Sequence, residues 1–180
     1  MPGPILAHRA SLAVPRGYEG PVPLQLTVYL RNHEAAARAG QDLYRRTVSN
    51  HRRKPYVDEL RDLATEARAD LGALRQLMRQ LGVSPDRLLG VTLQLGERVG
   101  RLKPNGHVLR RAPLSDLVEI EGLLDATHVK AAGWSALAAA KVDTGQPGLD
   151  LEALRQRAED QLQRLRVIHR TVAADALPKS

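Results

Sequence analysis

Cysteine is absent from the 180-residue chain, which excludes disulfides, thiolate metal sites and cysteine nucleophiles in one step. Phenylalanine is absent too, and there are one tryptophan and four tyrosines. The core must therefore be assembled from Leu, Val, Ala and a few Ile and Met side chains, a set that suits closely packed helices. No apolar run approaches the roughly 18 residues that a membrane span needs, so no membrane contact is expected. The segment Met1 to Gly17 is too broken by proline to read as a secretory leader, and a cytoplasmic location is expected. Catalytic signatures are missing as well: there is no P-loop, no Gly-x-Ser-x-Gly elbow, no His-Glu-x-x-His pair and no dinucleotide fingerprint. An enzyme is not the expected reading.

What is abundant is positive charge. The formal net charge is +7, and 22 of the 27 basic residues are arginine, the other 5 being lysine. Two segments concentrate it, Arg45 to Lys54 and Arg98 to Arg111, and both suit phosphate attraction. Codon usage rich in G and C produces the same skew. No aromatic stacking platform, helix-turn-helix or zinc finger accompanies the charge, so nucleic-acid association is carried as an alternative.

Apolar periodicity predicts four long helices. The first runs from about Leu24 to Ser49 with Leu26, Leu30, His33, Ala37, Gly40 and Tyr44 inward. Pro55 breaks the chain in the basic run NHRRKPY, read as a solvated cap that complements the helix dipole. A second helix spans Val57 to Gly82, with Asp58 as N-cap and Leu60, Leu63, Ala67, Leu71, Leu74, Met78 and Leu81 as its stripe. The third covers Leu114 to Ala140, burying Leu114, Leu117, Ile120, Leu124, Ala131, Trp134 and Ala138. The fourth runs from an N-cap at Asp150 to about Ala173, with Gln161 in its inner face. Residues 1–23 hold five prolines and form an arm, 24–173 the bundle, and 174–180 a tail. Between the second and third helices, Val83 to Pro113 is too long for a hairpin loop. It reads as a crossover containing a short helix from Ser84 or Pro85 to Val99, followed by a KPNG turn at Lys103 to Gly106.

Each long helix carries polar residues near its midpoint: His33 and Glu34; Glu66 and Asp70; Glu121, Asp125 and His128; and Glu159, Asp160 and Gln161. Glu121 and His128 are seven residues apart, two helical turns, and share a face. Loops in the order short, long, short, with carboxylates at mid-helix, resemble the ferritin-like superfamily over residues 24–173, and bacterial ferritin-like proteins of unassigned function in particular. The resemblance implies an all-α, antiparallel four-helix bundle with a long helical crossover between helices two and three. Di-iron members place a Glu on two helices and Glu-x-x-His on the other two. Glu34 and Glu121 match single-Glu positions. Neither Glu-x-x-His pair is present, since Glu66 is followed by Ala69 and Asp70 at the third and fourth positions, and Glu159 by Leu162 and Gln163. A degenerate site for iron or manganese would draw on Glu34, Glu66, Asp70, Glu121 and His128. Buried carboxylates are satisfied equally well by arginine. The expected role is then non-catalytic, with the bundle self-associating as a homodimer or binding a protein partner.

Overall fold

The computed structural model describes residues 21–86, 113–142, 144 and 149–177. They are all-α, with helices α1 (Leu24–Asn50), α2 (Val57–Gln80), α3 (Pro113–Ala139) and α4 (Leu151–Ala176). No helix among these residues is long and apolar enough to cross a membrane. The expected arm to residue 20, the KPNG turn and the basic segment Arg98 to Arg111 lie outside the described residues. So does most of the expected crossover helix; its proposed start, Ser84 to Asp86, is not helical.

Local chemistry explains where the helices stop. Gly82 adopts φ 67°, the left-handed conformation that glycine enters without steric cost. The Val83 amide then donates to Met78 O at 2.8 Å and Gly82 to Arg79 O at 3.1 Å, the two bonds of a Schellman ending. α3 ends the same way on Lys141, φ 51°, with Val142 donating to Leu137 O at 3.1 Å and its side chain buried. α4 begins on Asp150 as expected, whose carboxylate accepts from Glu152 N at 2.9 Å and Ala153 N at 3.2 Å. α2 departs from expectation. Its N-cap is Tyr56, because Val57 N already donates to Lys54 O at 3.1 Å. Asp58 instead sits in the first turn, where its negative charge complements the positive end of the helix dipole.

Two hydrophobic cores lie end to end. One gathers Leu26 and Leu30 of α1, Leu74, Leu77 and Met78 of α2, Ala131, Trp134 and Leu137 of α3, and Leu151 to Leu162 positions of α4. The other gathers Leu43 and Tyr44, Leu60 and Leu63, Leu117, Ile120 and Leu123, and Leu165, Ile168 and Val172. α3 packs most extensively on α4, α1 lies against both α2 and α3, and α2 approaches α4 at few backbone points.

The phase of α3 corrects the sequence reading. Leu123 and Leu137 are buried, Leu124 and Ala138 are only partly covered, and Leu114 is exposed. The helix is apolar on nearly every side, so its periodicity could not fix which stripe faces inward. That rotation carries Glu121 and His128 out to solvent.

Candidate functional site: a charged layer between the cores

Where one core gives way to the other, α2, α3 and α4 each contribute a polar residue, Asp70, Lys130 and Gln161. Asp70 is 2% exposed and Gln161 fully buried. A carboxylate that deep needs partners, because isolated ionic burial costs several kcal/mol. Lys130 Nζ donates to Asp70 Oδ2 at 2.7 Å and also to Gln161 Oε1. Arg157 Nε donates to Asp70 Oδ1 at 2.8 Å, and Gln161 Nε2 to Asp70 Oδ2 at 3.2 Å. Gln161 Nε2 also reaches Glu66 Oε2 at 3.0 Å.

The layer continues outward along the seam of α2 and α4. Arg164 Nη1 donates to Glu66 Oε1 at 2.6 Å and to Asp160 Oδ2 at 3.3 Å, and Arg164 also pairs with Glu59. Long side chains thus span a seam that the two backbones leave wide. Burial pushes Lys130 below its ordinary value, with Asp70 pulling it back. Burial also acts to raise Glu66, but hydrogen bonds from Arg164 and Gln161 outweigh it and hold the carboxyl below its usual range. Burial likewise opposes the charge on Arg164, and its three acidic partners more than offset this, raising it further.

Glu34 is satisfied separately, between α1 and α2. It is 1% exposed, accepts from Arg38 Nε at 2.9 Å, and receives a two-pronged contact from Arg75, Nε at 3.0 Å and Nη2 at 2.8 Å. Glu121, on the solvent side of α3, lies 3.4 Å from His169 Nε2, and His128 is exposed. Of the five residues expected to converge, Glu66 and Asp70 meet through Gln161, Glu34 forms its own pairs, and Glu121 and His128 lie elsewhere. Among the described residues no group of three or more His, Asp or Glu is placed to hold a metal ion. The donor set does not fit an iron or manganese centre, because the buried carboxylates are engaged by ammonium and guanidinium groups that a cation would have to displace.

The basic turn is also more structured than a solvated cap. His51 is fully buried; its Nδ1 lies 2.9 Å from Tyr56 Oη and its Nε2 3.2 Å from Glu119 Oε2. Lys54 pairs with Asp116 at 3.0 Å, and Asn50 Nδ2 donates to Glu119 Oε1 at 2.8 Å. The turn is thereby tied to the first half of α3.

Beside the charged layer, small residues of α1, α2 and α3, including Ala36, Gly40, Ala67 and Ala126, leave a cavity of about 60 Å³. Tyr44 and Trp134 line it. Trp134 Nε1 is buried without a hydrogen-bond partner among the described residues. The Tyr44 hydroxyl sits beside Thr127 without a hydrogen bond of good geometry, and burial pushes it up to about 12.

Sequence reasoning placed Glu34, Glu66, Asp70 and Gln161 at mid-helix but missed the buried Asp116, and missed Lys130, Arg75, Arg157 and Arg164, which neutralise the mid-helix acids. One signal was available: Lys130 is the only charged residue between Asp125 and Lys141, an isolated cation in an otherwise uncharged stretch. Comparison with protein-family models, curated proteins and solved structures finds no match.

Proposed function

We propose that the chain is a non-catalytic bundle of ferritin-like architecture whose role is self-association or partner binding. The observation that carries this reading is the closure of the charged layer: Asp70 and Glu34 each hold two cationic side chains of the same chain. Groups that would do chemistry in a carboxylate bundle are spent on one another here, and function moves to the surface.

The membership of the two cores supports an antiparallel arrangement. The N-terminal part of α1 shares a core with the C-terminal part of α2, and the C-terminal part of α3 with the N-terminal part of α4. With α2 and α3 pointing the same way, their connection would traverse the bundle, as the ferritin-like order requires. The outer side of α3 supports pairing of two copies. Val129, Ala132, Ser135, Ala136 and Ala139 are exposed there, and small side chains let a second helix approach closely.

Light scattering on the purified protein across the micromolar range tests this. A dimer that dissociates when Ala132→Glu and Ala136→Glu are combined, with helicity retained, is the expected result. A strictly monomeric protein that captures no partner overturns the reading, and so does stoichiometric iron or manganese in protein grown with those metals.

A further inference from the structure

Arginine recurs every seventh residue on both helices of the first pair: Arg31, Arg38, Arg45 and Arg52 along α1 and its turn, and Arg61, Arg68 and Arg75 along α2. Seven residues are close to two helical turns, about 10 Å, so Arg31, Arg38 and Arg45 form a row along one side of α1 and Arg61, Arg68 and Arg75 a row along α2, with Arg52 in the turn beyond α1. Between the rows lies a surface groove of about 780 Å³, lined by Arg45, Arg61, Arg68 and Arg75. Its remaining lining includes Tyr44, Val48, Ala64 and Leu71, so the rails are cationic and the floor largely apolar. Gln41, Tyr44 and Leu71 line both this groove and the inner cavity of about 60 Å³, which makes the two adjoining.

The arginines differ in how far they are committed. Arg75 serves Glu34, Arg45 pairs with Asp42 at 3.1 Å, and Arg61 pairs with Asp58. The last two are exposed pairs within one helix, each contributing little and easily exchanged. Arg68 makes no ion pair among the described residues. Toward the other end, Arg31 Nε donates to Ser84 O at 3.0 Å and Arg38 to Asp86 O at 3.3 Å.

We propose that this groove docks an acidic amphipathic helix of another protein. Its carboxylates would pair with Arg45, Arg61 and Arg68, and one aliphatic side chain would point past Tyr44 and Leu71 into the inner cavity. Helical partners match rails that repeat every seven residues, as flanking charges do in a coiled coil. By proportion with cavities of known occupancy, about 60 Å³ takes roughly two to four carbon atoms, the size of a Val or Leu side chain. A nucleic-acid backbone would gain nothing from Val48 or Leu71 and finds no stacking platform. Charge also argues for a partner other than this chain: residues 87–112 hold six Arg and Lys against one Glu. Docking here does not depend on whether copies pair through α3.

Trp134 is the only tryptophan and lines the cavity, so its fluorescence reports on the anchor. The test titrates the full chain, in about 50 mM salt, with a helical peptide of about three heptads built on Ala and Glu with one central Leu. The expected result is saturable binding with a shift in Trp134 emission. Arg45→Glu with Arg68→Glu should weaken it on the order of 10-fold or more. Replacing the peptide's Leu by Asp should abolish the emission shift, and Ala67→Leu, or the milder Gly40→Ala, should diminish it. Failure to saturate overturns the proposal, as does equal or tighter binding of polyglutamate or a DNA duplex. An affinity indifferent to both arginine reversals, whose folding is checked by circular dichroism, overturns it equally.

Discussion

Lys130→Met and Asp70→Leu, made singly and together, probe the charged layer most directly. Asp70→Leu leaves Lys130 and Arg157 facing an apolar side chain, and Lys130 has a side chain only 16% exposed. Removing one partner of a buried pair typically costs about 3–5 kcal/mol, so Asp70→Leu should fall in that range. At about 2–4 °C per kcal/mol for a chain of this size, the melting point should drop roughly 6–20 °C. Lys130→Met should cost less, about 2–3 kcal/mol, because Arg157 and Gln161 still donate to Asp70. The double variant removes both charges and keeps the volume, so it should be more stable than the sum of the singles by at least about 1.5 kcal/mol. Urea unfolding followed by circular dichroism at neutral pH measures all three. Losses that add to within about 0.5 kcal/mol would show that the two groups do not depend on each other, and the account of the layer would fail.

Two glycines should respond in opposite directions. A Cβ at Gly133 would sit 2.8 Å from His33 Nδ1, and that ring already lies 4.4 Å from the Tyr29 ring; Gly133→Ala should cost about 1–3 kcal/mol. At Gly40 the nearest atom would be Ala126 Cβ at 3.7 Å, so Gly40→Ala should gain up to about 1 kcal/mol from helix propensity. Thermal melts decide both, and a Gly133→Ala variant as stable as the parent would mean the ring can move aside. For pH, burial holds His33 below 6.5, so the unfolded chain takes up this proton first as pH falls. Stability should therefore be complete above about pH 6.5 and decline below it. His33→Gln should flatten the urea midpoint between about pH 7 and 5, and an unchanged slope would refute the assignment.

Much of the helical layout was legible in the chain because α1, α2 and α4 each alternate a leucine stripe with a charged side. Pro55, Gly82 and Asp150 mark boundaries by backbone chemistry that needs no tertiary information. α3 was the hard case. With Leu, Val, Ala and Ile distributed around it, two adjacent stripes are equally plausible from sequence, and only contact with α1 and α4 selects Leu123 and Leu137. The error in Glu121 and His128 follows from that ambiguity alone. Burial of Gln161 was readable from its place in the inner face of α4, whereas Glu34 and Asp70 stood only beside or at the border of a stripe, and the identity of their partners was not readable at all. Arg75, Lys130 and Arg157 lie 41, 60 and 87 residues from the acids they serve, and nothing local encodes such pairings.

Leucine cores are permissive: one Leu exchanges for the next at little loss, and helices packed by leucine alone slide past one another. Interposing Asp70, Lys130 and Gln161 between two such cores restricts that freedom, for a slip of one turn would strand the Asp70 or Lys130 charge, or the Gln161 amide, against hydrocarbon. Such a layer would act as a key in a lock washer, fixing axial alignment more than adding cohesion. Refilling those three positions with leucine and methionine should therefore yield a chain that melts higher but no longer settles on one alignment.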